Sequence, residues 1–190
     1  MDKTTTIVVA RYNEDISWTK KLENVLVYNK GQPQPDYKEI ELPNVGREGH
    51  TYYKHICDNY DNLSDITIFL QGNPFDHSPN IFASIERLSK TIEFEHLSEQ
   101  ILVTNLSGCS YHHGIPMADV FYKLFNTKID NFEFCFGAGA QFAVSKKMIL
   151  NRPKSFYMKI VEMLETSINP IEGFVIERLH SLIFSEMPVY

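Results

Sequence analysis

ITIFLQGNPFDH, from Ile66 to His77, is the stretch on which the fold turns. Ile66, Ile68 and Leu70 alternate with Thr67 and Phe69, so both faces are largely apolar, as in a central strand covered on two sides. At Gln71 the composition flips to Gly72, Asn73, Pro74, Phe75, Asp76 and His77, where Gly and Pro end the strand and polar side chains face outward. Open α/β sheets bind ligands where the carboxyl ends of strands deliver such loops.

Working outward, TTIVVA over 5–10 reads as a buried first strand that breaks into a second polar loop, Arg11, Tyr12, Asn13 and Glu14. A short helix over 18–23, strands over 24–29 and near 39–42, and a helix opening at Gly46 follow, the last marked by Tyr52, Ile56 and Tyr60 four residues apart. Beyond the central strand the pattern predicts a helix over 79–88, a strand over 101–105, a helix over 115–125, and strands over 132–136 and 141–145. Two helices close the chain, after Pro153 and after Gly173. Alternation of strands and helices predicts one α/β domain over 1–190, a mixed, mostly parallel sheet with helices on both faces.

Composition narrows the function classes. A chain of 190 residues with 43% hydrophobic and 22% charged residues suits one self-sufficient core. A formal charge of -6 without clustered Lys and Arg argues against nucleic acid as a partner. Cys57, Cys109 and Cys135 are odd in number and widely spaced, which suits reduced thiols, and no stretch approaches a membrane span. A cytoplasmic, soluble protein is expected.

The candidate chemistry lies on the loops. Asp76 and His77 can hold one hard cation, Mg or Mn, or form only an Asx turn after Pro74. Arg11, Tyr12, Asn13 and Glu14 can grip a nucleobase and a phosphate, or simply cap a following helix through Asn13 or Asp15. Arg47, beside Gly46 at a helix start, suits phosphate, or only pairs with Glu48 or Asp58 on the surface. Gly137 and Gly139 let backbone lie close to a ligand, though GAGA is not a dinucleotide-binding fingerprint. Glu172 and Glu177 flank the start of the last helix, and either is a candidate general base; Glu177 lies beside its apolar stripe. Cys109 with His112 is half of a zinc spacing with no second half.

Together, VVARYNED, NVGREGHTYYKHICDNYDNLSDITIFLQGNPFDH, FGAGAQFAVSKKMILNRP and GFVIERLHSLIF resemble nucleotide-diphospho-sugar transferases of GT-A type, and more closely a small fungal and viral domain family of formerly unknown function. The resemblance implies a GT-A-like domain that moves a sugar from a nucleotide donor, most commonly a UDP-sugar, to a glycan or glycoprotein acceptor. It places the nucleotide near Arg11 to Glu14 and phosphates after the central strand, where Gln71, Gly72 and Asn73 stand in place of DxD. The last two blocks also look like branching N-acetylglucosaminyltransferases, which implies Glu177 as base and a metal-independent site with Arg47, Lys146, Arg152 or Arg178 at the diphosphate. With retention instead of inversion, Gln71 moves to the fore. The competing readings are a nucleotide- or sugar-binding module without turnover, and a metal-dependent hydrolase using Asp76, His77 and His112 or His113.

Overall fold

The computed structural model describes residues 4–108 and 111–186. Its centre is β4 (Ile66–Gln71), every residue of which is buried up to Leu70. On one side β4 pairs in parallel with β1 (Thr5–Arg11), which pairs with β2 (Val25–Asn29), which pairs with the edge strand β3 (Glu39–Glu41). On its other side β4 meets β8 (Phe142–Ser145) antiparallel, and β8 meets β5 (Phe94–His96). The six-stranded order is therefore β3-β2-β1-β4-β8-β5.

Alternation along β1 and β4 sends side chains to two cores. Val8 and Phe69 face α1 (Arg47–Asn59), α5 (Lys154–Leu164) and α6 (Ile171–Ile183), together with α3 (Met117–Phe125). Ile7, Val9, Ile68 and Leu70 face a smaller layer that holds Trp18 and the short helix α2 (Ile81–Glu86). Both faces are covered, which is why β4 tolerates no polar alternation. The result is a compact α/β domain with a mostly parallel sheet between helices.

Most elements fall where the periodicity puts them, and the departures have reasons. The segment read as a helix over 18–23 is a tighter 3₁₀ turn, Ser17–Lys21. β6 (Ile101–Thr104) and β7 (Phe134–Gly137) do not join the main sheet but form their own antiparallel ribbon. Ile101, Val103 and Cys135 on its outer side stay exposed, while Phe136 is buried against α6. β5 carries no apolar run and exists through its pairing with β8. A further short helix, α4 (Lys146–Leu150), is started by Ser145, whose Oγ accepts from the Met148 N–H at 3.4 Å. The last helix starts at Ile171, directly after Pro170, whose fixed φ suits a helix entrance, so Gly173 lies within it. No helix among the described residues is long and apolar enough to cross a membrane.

Candidate functional site

Because β1 is flanked by β2 on one side and β4 on the other, the chain reverses its direction of travel across the sheet between β1 and β4. At such a switch point the loops after the two strands diverge and leave a crevice. Here the register pairs Ala10 with Gln71, and the loops after them open two adjacent cavities that share Arg47 and Gln71 in their walls.

The first cavity, about 670 Å³, lies over the loop after β1. Arg11 lines it with a buried guanidinium whose Nη1 donates to Asn29 Oδ1 at 2.9 Å, Gln32 O at 2.7 Å and Glu39 Oε1 at 3.2 Å. It organises the loop. Asn13 does likewise, accepting from Gln32 N at 2.9 Å, and Glu14 takes the N–H groups of Tyr12 and Asn13 at 2.6 and 3.1 Å. Tyr12 stands out at 49% exposure on the cavity wall.

Lys30 enters the same cavity, unremarked in the sequence because it follows a plain strand. Its ammonium donates to Val45 O at 2.6 Å and to Arg47 O, and burial pulls its pKa down to about 8 despite Glu48. The two carbonyls bracket a turn in which Gly46 and Arg47 both take left-handed backbone, with φ of 63° and 53°. Gly46 is required there, since a Cβ would lie 2.6 Å from Leu164 O. The turn sets Arg47 across Phe174, its guanidinium carbon 4.2 Å from the ring centroid. Its Nε lies 3.6 Å from Glu48, and its terminal nitrogens carry no hydrogen bond among the described residues.

The second cavity, about 440 Å³, lies between α6 and the β6–β7 ribbon. Glu177 faces it, only 13% exposed, with Oε1 accepting the Gly139 N–H at 2.7 Å. Burial raises its pKa, Glu48 adds to the rise, and the Gly139 bond, Arg178 and Arg47 oppose it. Arg178 is buried beside it, Nη1 donating to Phe174 O at 2.6 Å and lying 3.8 Å from Glu177 Oε2. Gly139 has φ 83°, and a Cβ there would strike the His77 ring at 2.4 Å. Gly137 lies outside both cavities, packed on His96 and Ser98.

Asp76 and His77 diverge: Asp76 lines the first cavity, where Asn73 Nδ2 donates to it at 3.1 Å, and His77 lines the second. As a pair they do not fit one cation. Among the described residues no group of three or more His, Cys, Asp or Glu converges on a metal position. Of the basic side chains expected at a diphosphate, Arg47 and Arg178 reach the cavities. Lys146 instead begins α4 at the opposite end of β4, its N–H on Asp65 O. Arg152 is buried on the carbonyls of Leu182, Ile183 and Ser185. Glu172 reaches neither cavity, and Cys109 lies outside the described residues.

The sequence profile of a family described as "Protein of unknown function (DUF3431)" matches residues 7–190. The chain belongs to this family. No curated protein and no solved structure matches the chain. The DUF3431 profile spans both cavities from β1 to beyond α6, so the loops, the Gly46–Arg47 turn and the Glu177–Arg178 pair all lie inside the family's boundaries.

Proposed function

We propose that this DUF3431 protein is a glycosyltransferase of GT-A type that takes a nucleotide-diphosphate sugar, a UDP-sugar first among candidates, and transfers the sugar to a hydroxyl of a glycan or glycoprotein. One observation carries the reading: two cavities at the switch point of the sheet share Arg47, and the second holds a buried, hydrogen-bonded carboxylate, Glu177.

In this reading the nucleotide occupies the first cavity with its base against Tyr12, and Arg47 meets the diphosphate where the cavities join. As the glycosidic C–O bond breaks, negative charge grows on the leaving diphosphate, and a fixed guanidinium stabilises it without reorganising. The sugar and the acceptor hydroxyl occupy the second cavity. Glu177 Oε1 is held by Gly139, which leaves Oε2 to accept the hydroxyl proton as the new C–O bond forms on the opposite face of the sugar. A carboxylate raised above its ordinary pKa is the stronger base for that step. Gln71, in both walls, is placed to hydrogen-bond the sugar between them. Since Asp76 and His77 do not fit as a joint cation site, no step is routed through a metal.

Calorimetric titration with UDP and UDP-sugars, with and without Mn, tests the reading. Wild type is expected to bind UDP, and Arg47→Ala to lose roughly tenfold or more in affinity, the worth of a charged hydrogen bond. Binding lost instead in Asp76→Ala and only with Mn present would move the diphosphate onto a metal. UDP-sugar binding with neither hydrolysis nor transfer would make the protein a binding module. No binding of any nucleoside diphosphate would sink the proposal.

A further inference from the structure

Among the polar groups of the second cavity that the reading above does not use, one is held by a partner that fixes its protonation. His112 lies on its wall, and its Nδ1 is 2.9 Å from Arg178 Nη2. A guanidinium has donors only, so Nδ1 must accept and carries no proton. The neutral ring then holds its single proton on Nε2. Desolvation and the charges of Arg178 and Arg47 hold its pKa below the ordinary imidazole value, which keeps the ring neutral near pH 7.

The post that fixes this tautomer is built into the fold. Arg178 is 2% exposed, is tied to Phe174 O at 2.6 Å and lies over the Phe136 ring at 4.8 Å. The imidazole also packs on Phe174 at 4.4 Å, whose ring is covered in turn by Arg47. Although His112 is on the surface, its ring orientation is therefore set by two contacts. One guanidinium thus carries an acceptor near one arm, Glu177 Oε2 at 3.8 Å from Nη1, and a hydrogen-bond donor beyond the other.

We propose that His112 is a substrate-binding residue of the second cavity, its Nε2–H donating to an oxygen of a polyhydroxylated ligand whose neighbouring hydroxyl donates to Glu177. This rests on the glycosyltransferase reading for the identity of the ligand as a sugar. The chemistry is complementary: an ionised carboxylate can only accept, and a neutral imidazole locked at Nδ1 can only donate from Nε2. A sugar presents oxygens that do both, so the pair favours it over a purely anionic or purely apolar ligand.

The bland alternative is a latch, in which His112 only holds its loop onto Arg178. Two substitutions separate the roles. In His112→Asn the side-chain oxygen replaces Nδ1 as acceptor for Arg178, but nothing replaces Nε2–H; His112→Gln has the reverse bias. Affinities for UDP, UDP-glucose and UDP-N-acetylglucosamine are measured on both variants. The expected result is unchanged UDP affinity, with the additional affinity conferred by the sugar falling about tenfold in His112→Asn and less in His112→Gln. Wild-type sugar affinity in His112→Asn would overturn the proposal in favour of the latch.

Long-range ¹H–¹⁵N spectra of the wild-type protein at neutral pH read the tautomer without any activity. A proton on Nδ1 would overturn the argument at its first step. If UDP fails to bind wild type, the nucleotide reading falls, and His112 is decided by free glucose and N-acetylglucosamine: a shift of its Nε2–H signal supports the proposal, and no shift overturns it.

Discussion

The two cavities are made from opposite uses of the same residue types. In the first, charged side chains close to the β1 loop are consumed by backbone: Arg11 holds Gln32 O and Glu14 O, Glu14 holds two N–H groups, and Lys30 holds the carbonyls before and within the Gly46–Arg47 turn. Its walls are shaped by loops that charge has folded. In the second, a carboxylate and a guanidinium are buried in the helix face; Glu177, Arg178 and His112 all line the cavity, and Gly139 and Arg178 engage Glu177 Oε1 and His112 Nδ1 rather than the other oxygen and nitrogen. At the ends of β1 and β2, then, the charged residues brace the loops. A desolvated charge with one arm anchored is where chemistry concentrates.

The largest expected effect tests the second cavity alone. Glu177→Gln should lower turnover by roughly 10²- to 10⁴-fold, the range for loss of a general base, while leaving UDP affinity near wild type. Because its folded-state pKa is raised, the ionised carboxylate is a cost to the fold that grows as pH rises through that pKa, so the Gln variant should also unfold at slightly higher urea concentration near pH 8. Equal loss of binding and turnover would erase the division of labour between the cavities.

Acid sharpens the contrast at the level of the two cores. The α1/α6 side holds neutral imidazoles: desolvation holds His55 and His96 at about 4 and His180 at about 3. Unfolding below the ordinary imidazole pKa lets these rings take up protons. Their contribution is thus complete above about pH 6.5 and is lost as pH falls toward those folded values. The fall should read as a lower urea midpoint, with amide exchange rising first in α1 and α6. Among the described residues the fully buried histidines, His50, His55 and His180, all lie in α1 and α6, so the Trp18 side of the sheet should lag.

A smaller effect probes the contact beneath Glu177. Gly139→Ala places a methyl against His77 and forces a side chain into left-handed backbone, a cost of about 2 kcal/mol. It should lower the thermal midpoint and weaken turnover more than UDP binding, since the N–H that holds Glu177 must move. Unchanged turnover with reduced stability would make Gly139 a folding residue only.

Much of this was legible before the structure. The apolar run ending at Gln71, and the one ending at Ala10, located the loops around both cavities, because a buried strand that stops in polar residues delivers them to an open edge. Glu177 was legible because its position on the helix repeat borders the buried stripe of Val175, Leu179 and Ile176. Lys30 and Phe174 were not, and His112 was read only as a metal ligand, since their meaning depends on partners 15, 127 and 66 positions away, at Val45, Arg47 and Arg178. That Asp76 and His77 line different cavities was not legible either, since adjacent residues on a turn need not point into the same space.

The sequence by itself determined which strands are buried, where they end, where α1 begins and which face of α6 turns inward. Those follow from local periodicity, backbone preference and the desolvation of apolar side chains. Tertiary structure alone decided that β6 and β7 leave the main sheet, that Arg11 and Arg152 are braces while Arg47 spans two cavities, and that Arg178 sets the proton position on His112. A charge acquires its role from whatever neutralises or solvates it, and that partner is chosen by the packing of the whole chain.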